Sequence, residues 1–141
     1  DIIQYTIETA RPYVFSTAPA PAMAAALTQS LHCLRDEPEH HAVLQNNIRH
    51  FNTLAEQEQL PVLPSHSAIQ PLLIGGNERA LSLAETLREK GFWLSAIRPP
   101  TVPKGKARLR ITLTALHKAE HIEQLVEHLS AALKDSHDPA H

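Results

Sequence analysis

The chain has 141 residues, of which 43% are hydrophobic and 20% charged, with a formal charge of −2. That is one domain's length with enough apolar residues for a core, and the charge balance points to neither nucleic acid nor an anionic membrane as a partner. Cys33 is the single cysteine, which excludes an intramolecular disulfide framework and fits a reducing compartment such as the cytoplasm.

Residues 1–10 carry Ile3, Ile7 and Ala10 at helical spacing and stop short of Pro12, because the position before a proline disfavours the helical region. The opening Asp1-Ile2-Ile3-Gln4-Tyr5 reads as the interior of an element, so polypeptide is expected to precede it. Residues 11–17 are predicted extended, since Tyr13, Val14 and Phe15 favour β geometry. Pro19-Ala20-Pro21 suits a helix entrance. That helix is predicted to run to about Arg35, with Met23, Leu27, Leu31 and Leu34 on one stripe. Ser16 and Thr17 precede it, and two readings stay open. They cap the helix, or with its N-terminus they seat a phosphate, where unpaired N–H groups and the dipole favour an anion. Cys33 reads as a packing residue, with no base paired to it in sequence.

Asp36 and Pro38 open a second helix to about Glu58, with Leu44, Ile48, Phe51 and Ala55 inward. Residues 67–74 read as a strand, in which Pro71 removes a ladder donor and so belongs at an edge or a bulge. Gly75-Gly76 is a turn, Asn77 a helix N-cap and Gly91 a glycine just past the helix end, with Leu81, Ala84 and Leu87 as the buried stripe. Residues 92–97 are a short aromatic and β-branched strand. From Ala107 the chain alternates: Ala107, Leu109, Ile111 and Leu113 on one face, Arg108, Arg110, Thr112 and Thr114 on the other. A last helix covers about 118–133, and the residues after it read as a frayed tail.

Between the two C-terminal strands, Pro99, Pro100 and Pro103 leave the loop few conformations. A rigid loop carrying Arg98 and Thr101 beside a strand carrying Arg110 can hold an anion in a fixed pose, because guanidinium groups grip carboxylates and phosphates through two parallel hydrogen bonds. On spacing alone the same arginines also read as solvated strand positions. Lys104, Lys106, Arg108 and Arg110 form a local basic patch without the interleaved aromatics of a nucleic-acid site. His117, His121 and His128 lie on or beside the last helix, but no Cys pair or H-E-x-x-H accompanies them, so they read as scattered exposed histidines and no metal site is assigned. No apolar run approaches the ~20 residues that span a bilayer.

The order of elements is helices, then strand, helix, strand, strand, helix. The expected class is α+β: a small antiparallel sheet of about three strands with helices packed on one face. Residues 1–36 form an interdomain or dimer-contact segment ending in a long helix, 37–135 the α+β domain, and 136–141 a flexible tail.

Ser95-Ala96-Ile97-Arg98-Pro99-Pro100-Thr101-Val102-Pro103, followed by Ala107-Arg108-Leu109-Arg110-Ile111-Thr112-Leu113-Thr114-Ala115, resembles the α-oxoamine synthases. These are pyridoxal 5′-phosphate (PLP) enzymes of fold type I. Arg11-Pro12-Tyr13-Val14-Phe15-Ser16-Thr17-Ala18-Pro19 and Ser67-Ala68-Ile69-Gln70-Pro71 resemble the same family, and the Arg-Pro-Pro-Thr-Val-Pro string its 8-amino-7-oxononanoate synthase branch. The resemblance implies a cytoplasmic, homodimeric acyltransferase of biotin biosynthesis that condenses L-alanine with pimeloyl-CoA or a pimeloyl acyl carrier, with decarboxylation. It implies that Arg110 holds the amino-acid carboxylate, with Thr101 at the substrate and Arg98 close by. It also implies that Thr17 and Ser16 reach the cofactor phosphate of a neighbouring subunit, which raises the phosphate reading above capping.

No segment matches the family's Schiff-base lysine, cofactor-stacking histidine or ring-nitrogen aspartate. None of Lys90, Lys104, Lys106, Lys118 and Lys134 sits in the family's lysine motif, so no catalytic residue is assigned. The chain is therefore expected to be the C-terminal small domain alone, without the N-terminal PLP domain, inactive by itself and holding no cofactor. A rival expectation is a free-standing small-molecule-binding or regulatory α+β module that shares only the fold. A domain parted from its partners exposes the apolar surface that met them, so self-association is expected.

Overall fold

The computed structural model describes residues 1–135, and the expected tail at 136–141, with His137 and His141, lies outside the described residues. The chain forms two compact units, Asp1–Pro38 and the remainder from Glu39.

The first unit holds α1 (Ile2–Thr9), α2 (Arg11–Val14) and α3 (Pro21–Asp36). Asp1 caps α1, its side chain accepting the Ile3 N–H at 3.2 Å. The extended segment expected over residues 11–17 is instead a single helical turn followed by irregular chain. Pro12 sits in the first turn of α2, where its missing N–H costs nothing. The Tyr13 and Val14 N–H groups both bond the Ala10 carbonyl at 2.9 Å. The β preference of Tyr13, Val14 and Phe15 has no pairing strand in this unit to act through, and local bonds win.

α3 starts at Pro21 with Ala20 as N-cap and no side-chain cap, so neither Ser16 nor Thr17 caps it. The stripe of Met23, Leu27, Leu31 and Leu34 is where the spacing placed it, but all four are exposed by more than 60%. Cys33 is exposed as well, with only the Gln29 amide 3.8 Å from its sulfur, so its expected packing role is not met among the described residues.

The second unit contains α4 (Pro38–Gln57, whose first residue lies at the boundary), β1 (Ile69–Gly75), α5 (Asn77–Glu89), β2 (Ser95–Ile97), β3 (Ala107–Thr112) and α6 (Ala119–Asp135). The sheet is antiparallel in the order β1-β3-β2. Pro71 lies on an edge strand, as its missing donor requires. Its carbonyl turns away from β3 and accepts the Leu63 N–H at 2.8 Å, so the absent N–H falls on the outer edge. Ile48, Phe51 and Ala55 of α4, Leu83 and Leu87 of α5, and Ile122, Val126 and Leu129 of α6 pack onto Leu72, Leu109, Ile111 and Leu113 of the sheet and its exit. Each fully buried Leu, Ile or Phe contributes ~1.5–3 kcal/mol relative to exposure. The helices therefore cover one face of the sheet, and β3 sends every second residue into that core.

Two details of α5 differ from expectation. Gly76, not Asn77, is the N-cap, and Asn77 is the first helical residue. The buried stripe is Ala80, Leu83 and Leu87, whereas Leu81 is 44% exposed. Leu81 lies one position, about 100° of helix, off that stripe. The helix ends in a Schellman motif: Phe92 N–H to Leu87 carbonyl and Gly91 N–H to Arg88 carbonyl, both 2.9 Å, with Gly91 at φ +92°.

Candidate functional site

The alternation along β3 is complete. Ala107, Leu109, Ile111 and Leu113 are buried, Arg108 is half-buried, and Arg110, Thr112 and Thr114 are exposed. Directly opposed residues of an antiparallel sheet share a face. Arg110 pairs with Ser95 on β2 and Pro71 on β1, so these three form one row of the outward face. Arg108, Ile97 and Leu73 form the next row. The Arg110 guanidinium thus stands on the face that the helices leave open. Among the described residues it makes no hydrogen bond and no ion pair.

β2 leads straight from Ile97 into the loop that carries Arg98 and Thr101, both exposed. The Thr101 N–H closes a turn on the Arg98 carbonyl at 3.0 Å, and the Pro99–Pro100 bond is cis. A second turn, the Lys106 N–H on the Pro103 carbonyl at 3.1 Å, passes through Gly105 at φ +76°, a conformation that L side chains rarely adopt. Because Ile97 pairs with Arg108, the loop returns the chain to the strand that holds Arg110, two residues further on. The hairpin therefore groups Arg98, Thr101 and Arg110 on one short stretch of structure.

Ser95 is the neighbour that sequence reasoning missed. Its hydroxyl stands in Arg110's row, half-buried, on the β2 side. Nothing in composition marks it. Only the pairing of Ser95 with Arg110 across an irregular loop, 98–106, reveals it.

Ser16 and Thr17 belong to the first unit. Both are exposed, in the irregular chain before α3. The Ser16 hydroxyl donates to the Pro12 carbonyl, whereas Thr17 finds no hydrogen-bond partner among the described residues.

His121 is exposed, as expected, whereas His117 and His128 are half-buried. The His117 ring accepts the Thr114 N–H at 3.2 Å through Nδ1, and the His121 ring accepts the Lys118 N–H at 3.3 Å. The Asn47 amide donates to the Thr114 and His117 carbonyls at 3.0 and 2.9 Å, which ties this turn to α4. His128 lies edge-on to Phe92 at 5.5 Å. The His117 and His121 rings thus each accept a backbone N–H at the entrance to α6. Among the described residues no group of three or more His, Cys, Asp or Glu side chains is arranged to hold a metal, and no helix is long and apolar enough to cross a membrane.

The second unit has a groove of about 620 Å³ between α5 and α6 and another of about 480 Å³ beside Phe92, Trp93 and His121, and neither includes Arg110, Arg98 or Thr101. Arg110 stands on an open face instead. An exposed ion pair there is worth ~0.2–1 kcal/mol, so a tight grip on a carboxylate requires a further surface to exclude water.

Residues 1–129 match the family described as aminotransferase class I and II. An 8-amino-7-oxononanoate synthase of Serratia proteamaculans is 54% identical over 124 residues, covering 88% of this chain and 32% of that protein. The crystal structure of an 8-amino-7-oxononanoate synthase from Francisella tularensis superposes with a TM-score of 0.79 at 29% identity, over 96% of this chain and 39% of its own. A serine palmitoyltransferase of S. paucimobilis with PLP–myriocin bound gives 0.79 at 25% identity, over 89% of this chain and 32% of its own. The chain thus spans about a third of the length of these relatives.

Proposed function

Because the chain belongs to the aminotransferase class I and II family, we propose that it is the carboxylate-gripping part of an 8-amino-7-oxononanoate synthase. On this reading the whole protein, a cytoplasmic homodimer, condenses L-alanine with a pimeloyl thioester and releases carbon dioxide. The observation that carries the reading is Arg110, an exposed guanidinium with no partner among the described residues, on the open face of β3 beside a proline-stiffened loop.

In this role Arg110 donates two parallel hydrogen bonds to the alanine carboxylate. That grip fixes which bond at Cα faces the reacting group, an orientation effect. Thr101 and Arg98, one turn away on the loop, border the same substrate. Ser95, in Arg110's row, offers a hydroxyl within the polar strip.

The donors suit two separate anionic groups, a substrate carboxylate for Arg110 and the phosphate of a neighbouring subunit's PLP for Ser16 and Thr17. A hydroxyl such as that of Thr17, free of protein partners, donates to a phosphate oxygen; Ser16 would first release the Pro12 carbonyl. A guanidinium suits the substrate carboxylate. The ring end has no match, since Lys90, Lys104, Lys106, Lys118 and Lys134 are all exposed, whereas a Schiff-base lysine works from a desolvated pocket. Bound PLP supplies an electron sink for the carbanion at alanine Cα. The proposal therefore assigns the Schiff-base lysine to polypeptide outside these 141 residues.

The test is direct. The purified chain is mixed with PLP, L-alanine and pimeloyl-CoA, and free coenzyme A and visible absorbance are followed. Neither coenzyme A release nor a visible band is expected. A band that borohydride fixes onto one particular lysine would overturn the assignment. Reading the gene upstream of the Asp1 codon gives an independent check. An open frame that continues into a lysine-bearing cofactor domain supports the synthase, and a stop codon immediately upstream favours the small-molecule-binding module.

A further inference from the structure

Thr114 and His117 bond each other in both directions. The His117 N–H donates to the Thr114 carbonyl at 3.3 Å, and the Thr114 N–H donates to His117 Nδ1 at 3.2 Å. Lys118 and His121 repeat the arrangement. The His121 N–H donates to the Lys118 carbonyl at 3.1 Å, and the Lys118 N–H donates to His121 Nδ1 at 3.3 Å. Lys118 directly precedes Ala119, the first residue of α6. His121 therefore stands where a Glu or Gln side chain ordinarily reaches back to the N-cap N–H. An imidazole in that place differs in one respect. It accepts through Nδ1 only while neutral, because the protonated ring donates from both nitrogens. A positive charge there also meets the positive end of the α6 dipole. The two rings lie edge to face with centroids 6.4 Å apart, so charging both adds mutual repulsion.

We propose that His117 and His121 form a proton-operated latch on the passage from β3 to α6, closed at neutral pH and released as the rings take up protons. An imidazole ordinarily gains its proton near about pH 6.5. Above that range both Nδ1 atoms accept their backbone N–H, and below it both bonds are lost. The release is local. Just before the latch, the N–H of buried Leu113 is held by the Ala68 carbonyl at 2.9 Å. Just after it, Ile122 and Leu125 are buried in the core. The Asn47 amide keeps its bonds to the Thr114 and His117 carbonyls, so the loosened chain stays tethered to α4. Charged groups face the latch from three helices. α5 brings Lys90, which lines the same groove as both rings, and Arg88, which lies 6.0 Å from the Trp93 ring. α6 and its entrance carry Lys118, Glu120 and Glu123, and α4 brings His50, 3.2 Å from Glu123. The parts of the sheet and its edge that line the groove add no titratable side chain. Lysine, arginine and glutamate ordinarily keep their charges between about pH 5.5 and 7.5. His50, and His128 further along α6, are therefore the rival sources of a transition in that window. The latch stands whether or not the chain belongs to a synthase.

The experiment follows the chain by NMR from about pH 7.5 to 5.5, reading the ring nitrogens together with the exchange protection of single amides. The Thr114 and Lys118 amides are each expected to lose about ten-fold in protection as the neighbouring ring gains its proton. The Leu109 and Ile111 amides should stay within about two-fold, since the sheet does not open. His121→Glu supplies an acceptor that keeps its charge down to about pH 4.3. In that variant Lys118 should hold its protection at the acid end while Thr114 still loses its own. His50→Gln and His128→Gln should leave both steps in place. Rings that titrate with no change at either amide would overturn the proposal. So would a Lys118 step that survives His121→Glu, or one that vanishes in His50→Gln or His128→Gln. The wild-type rings give a check that needs no variant to fold. Both are expected to carry their proton on Nε2 at neutral pH, and a proton on Nδ1 of either ring would refute the latch there.

Discussion

Leu109 and Arg110 are adjacent on β3 and should answer truncation in opposite ways. Leu109 is fully buried in the core, and Arg110 is exposed without a partner among the described residues. Leu109→Ala removes core packing and leaves a cavity, at a cost of roughly 2–5 kcal/mol. Arg110→Gln keeps most of the aliphatic stem and deletes the charge. The Arg108 and Arg110 positions are about 7 Å apart along the strand, and two unit charges at that distance in water repel by roughly 0.6 kcal/mol before screening. The substitution should thus be neutral or slightly stabilising, within about 0.5 kcal/mol. Native-state hydrogen exchange at the amides of Leu109 and Ile111 reads the second unit specifically. At about 1.4 kcal/mol per tenfold, Leu109→Ala should speed exchange roughly 30- to 5,000-fold, and Arg110→Gln should change it by no more than about two-fold. A tenfold acceleration in Arg110→Gln would mean that the guanidinium braces the hairpin, and the argument that it is reserved for a ligand would fail.

Asn47→Ala should loosen the turn between β3 and α6, because one amide holds both the Thr114 and His117 carbonyls. At ~0.5–1.5 kcal/mol per bond, the expected loss is roughly 1–3 kcal/mol by urea unfolding, and an unchanged midpoint would show that the turn holds itself. Glu58, the residue just past α4, ties that helix end to α6 by accepting from the Ser130 hydroxyl at 2.5 Å and the Lys134 ammonium at 3.1 Å. The Ser130 bond first, then Lys134, hold its carboxyl below the ordinary value of about 4.5. Its contribution is therefore complete above that value and fades as pH falls through the lower folded one. Glu58→Gln should reduce stability at pH 7 and shrink the difference from wild type below pH 4.5; a difference that grows in acid would reverse the assignment. The exposed stripe of Met23, Leu27, Leu31 and Leu34 should drive self-association. Sedimentation should show oligomers at micromolar concentration that Leu27→Glu disperses, and a wild-type chain monomeric throughout would contradict this.

The second unit was largely legible because two periodicities speak clearly there. Alternation from Ala107 to Thr114 assigns each side chain of β3 to a face before any coordinate is known, and the structure follows it residue by residue. The α4 stripe of Ile48, Phe51 and Ala55 works for the same reason, since a helix that packs on a sheet obeys its own period. The misses fall where a decision depends on something distant in sequence. Tyr13, Val14 and Phe15 have strand chemistry, but a strand exists only through a partner, and the local turn at Pro12 is the stronger competitor. Leu81 and Ala80 sit side by side on α5, and the composition of a Leu-rich helix does not say which one meets the sheet. Glycine at position 76 is acceptable as an N-cap, so the better capping residue, Asn77, loses by one position.

The site divides in the same way. The exposure of Arg110 was legible because strict alternation puts it on the polar side of a strand whose other side is wholly apolar. Ser95 was not, because its relation to Arg110 passes through a nine-residue loop whose turns fix the register. In β3 the residues that stabilise the fold and those on the open polar face interleave one by one, so neither set can shift along the strand without moving the other. A one-residue slip would bury Arg108 and Arg110 and expose Leu109 and Ile111, losing several kcal/mol of apolar burial per pair of positions. The core therefore sets where the guanidinium stands, and the precision of the carboxylate grip proposed for Arg110 would be inherited from the packing of Leu109 and Ile111 beneath it.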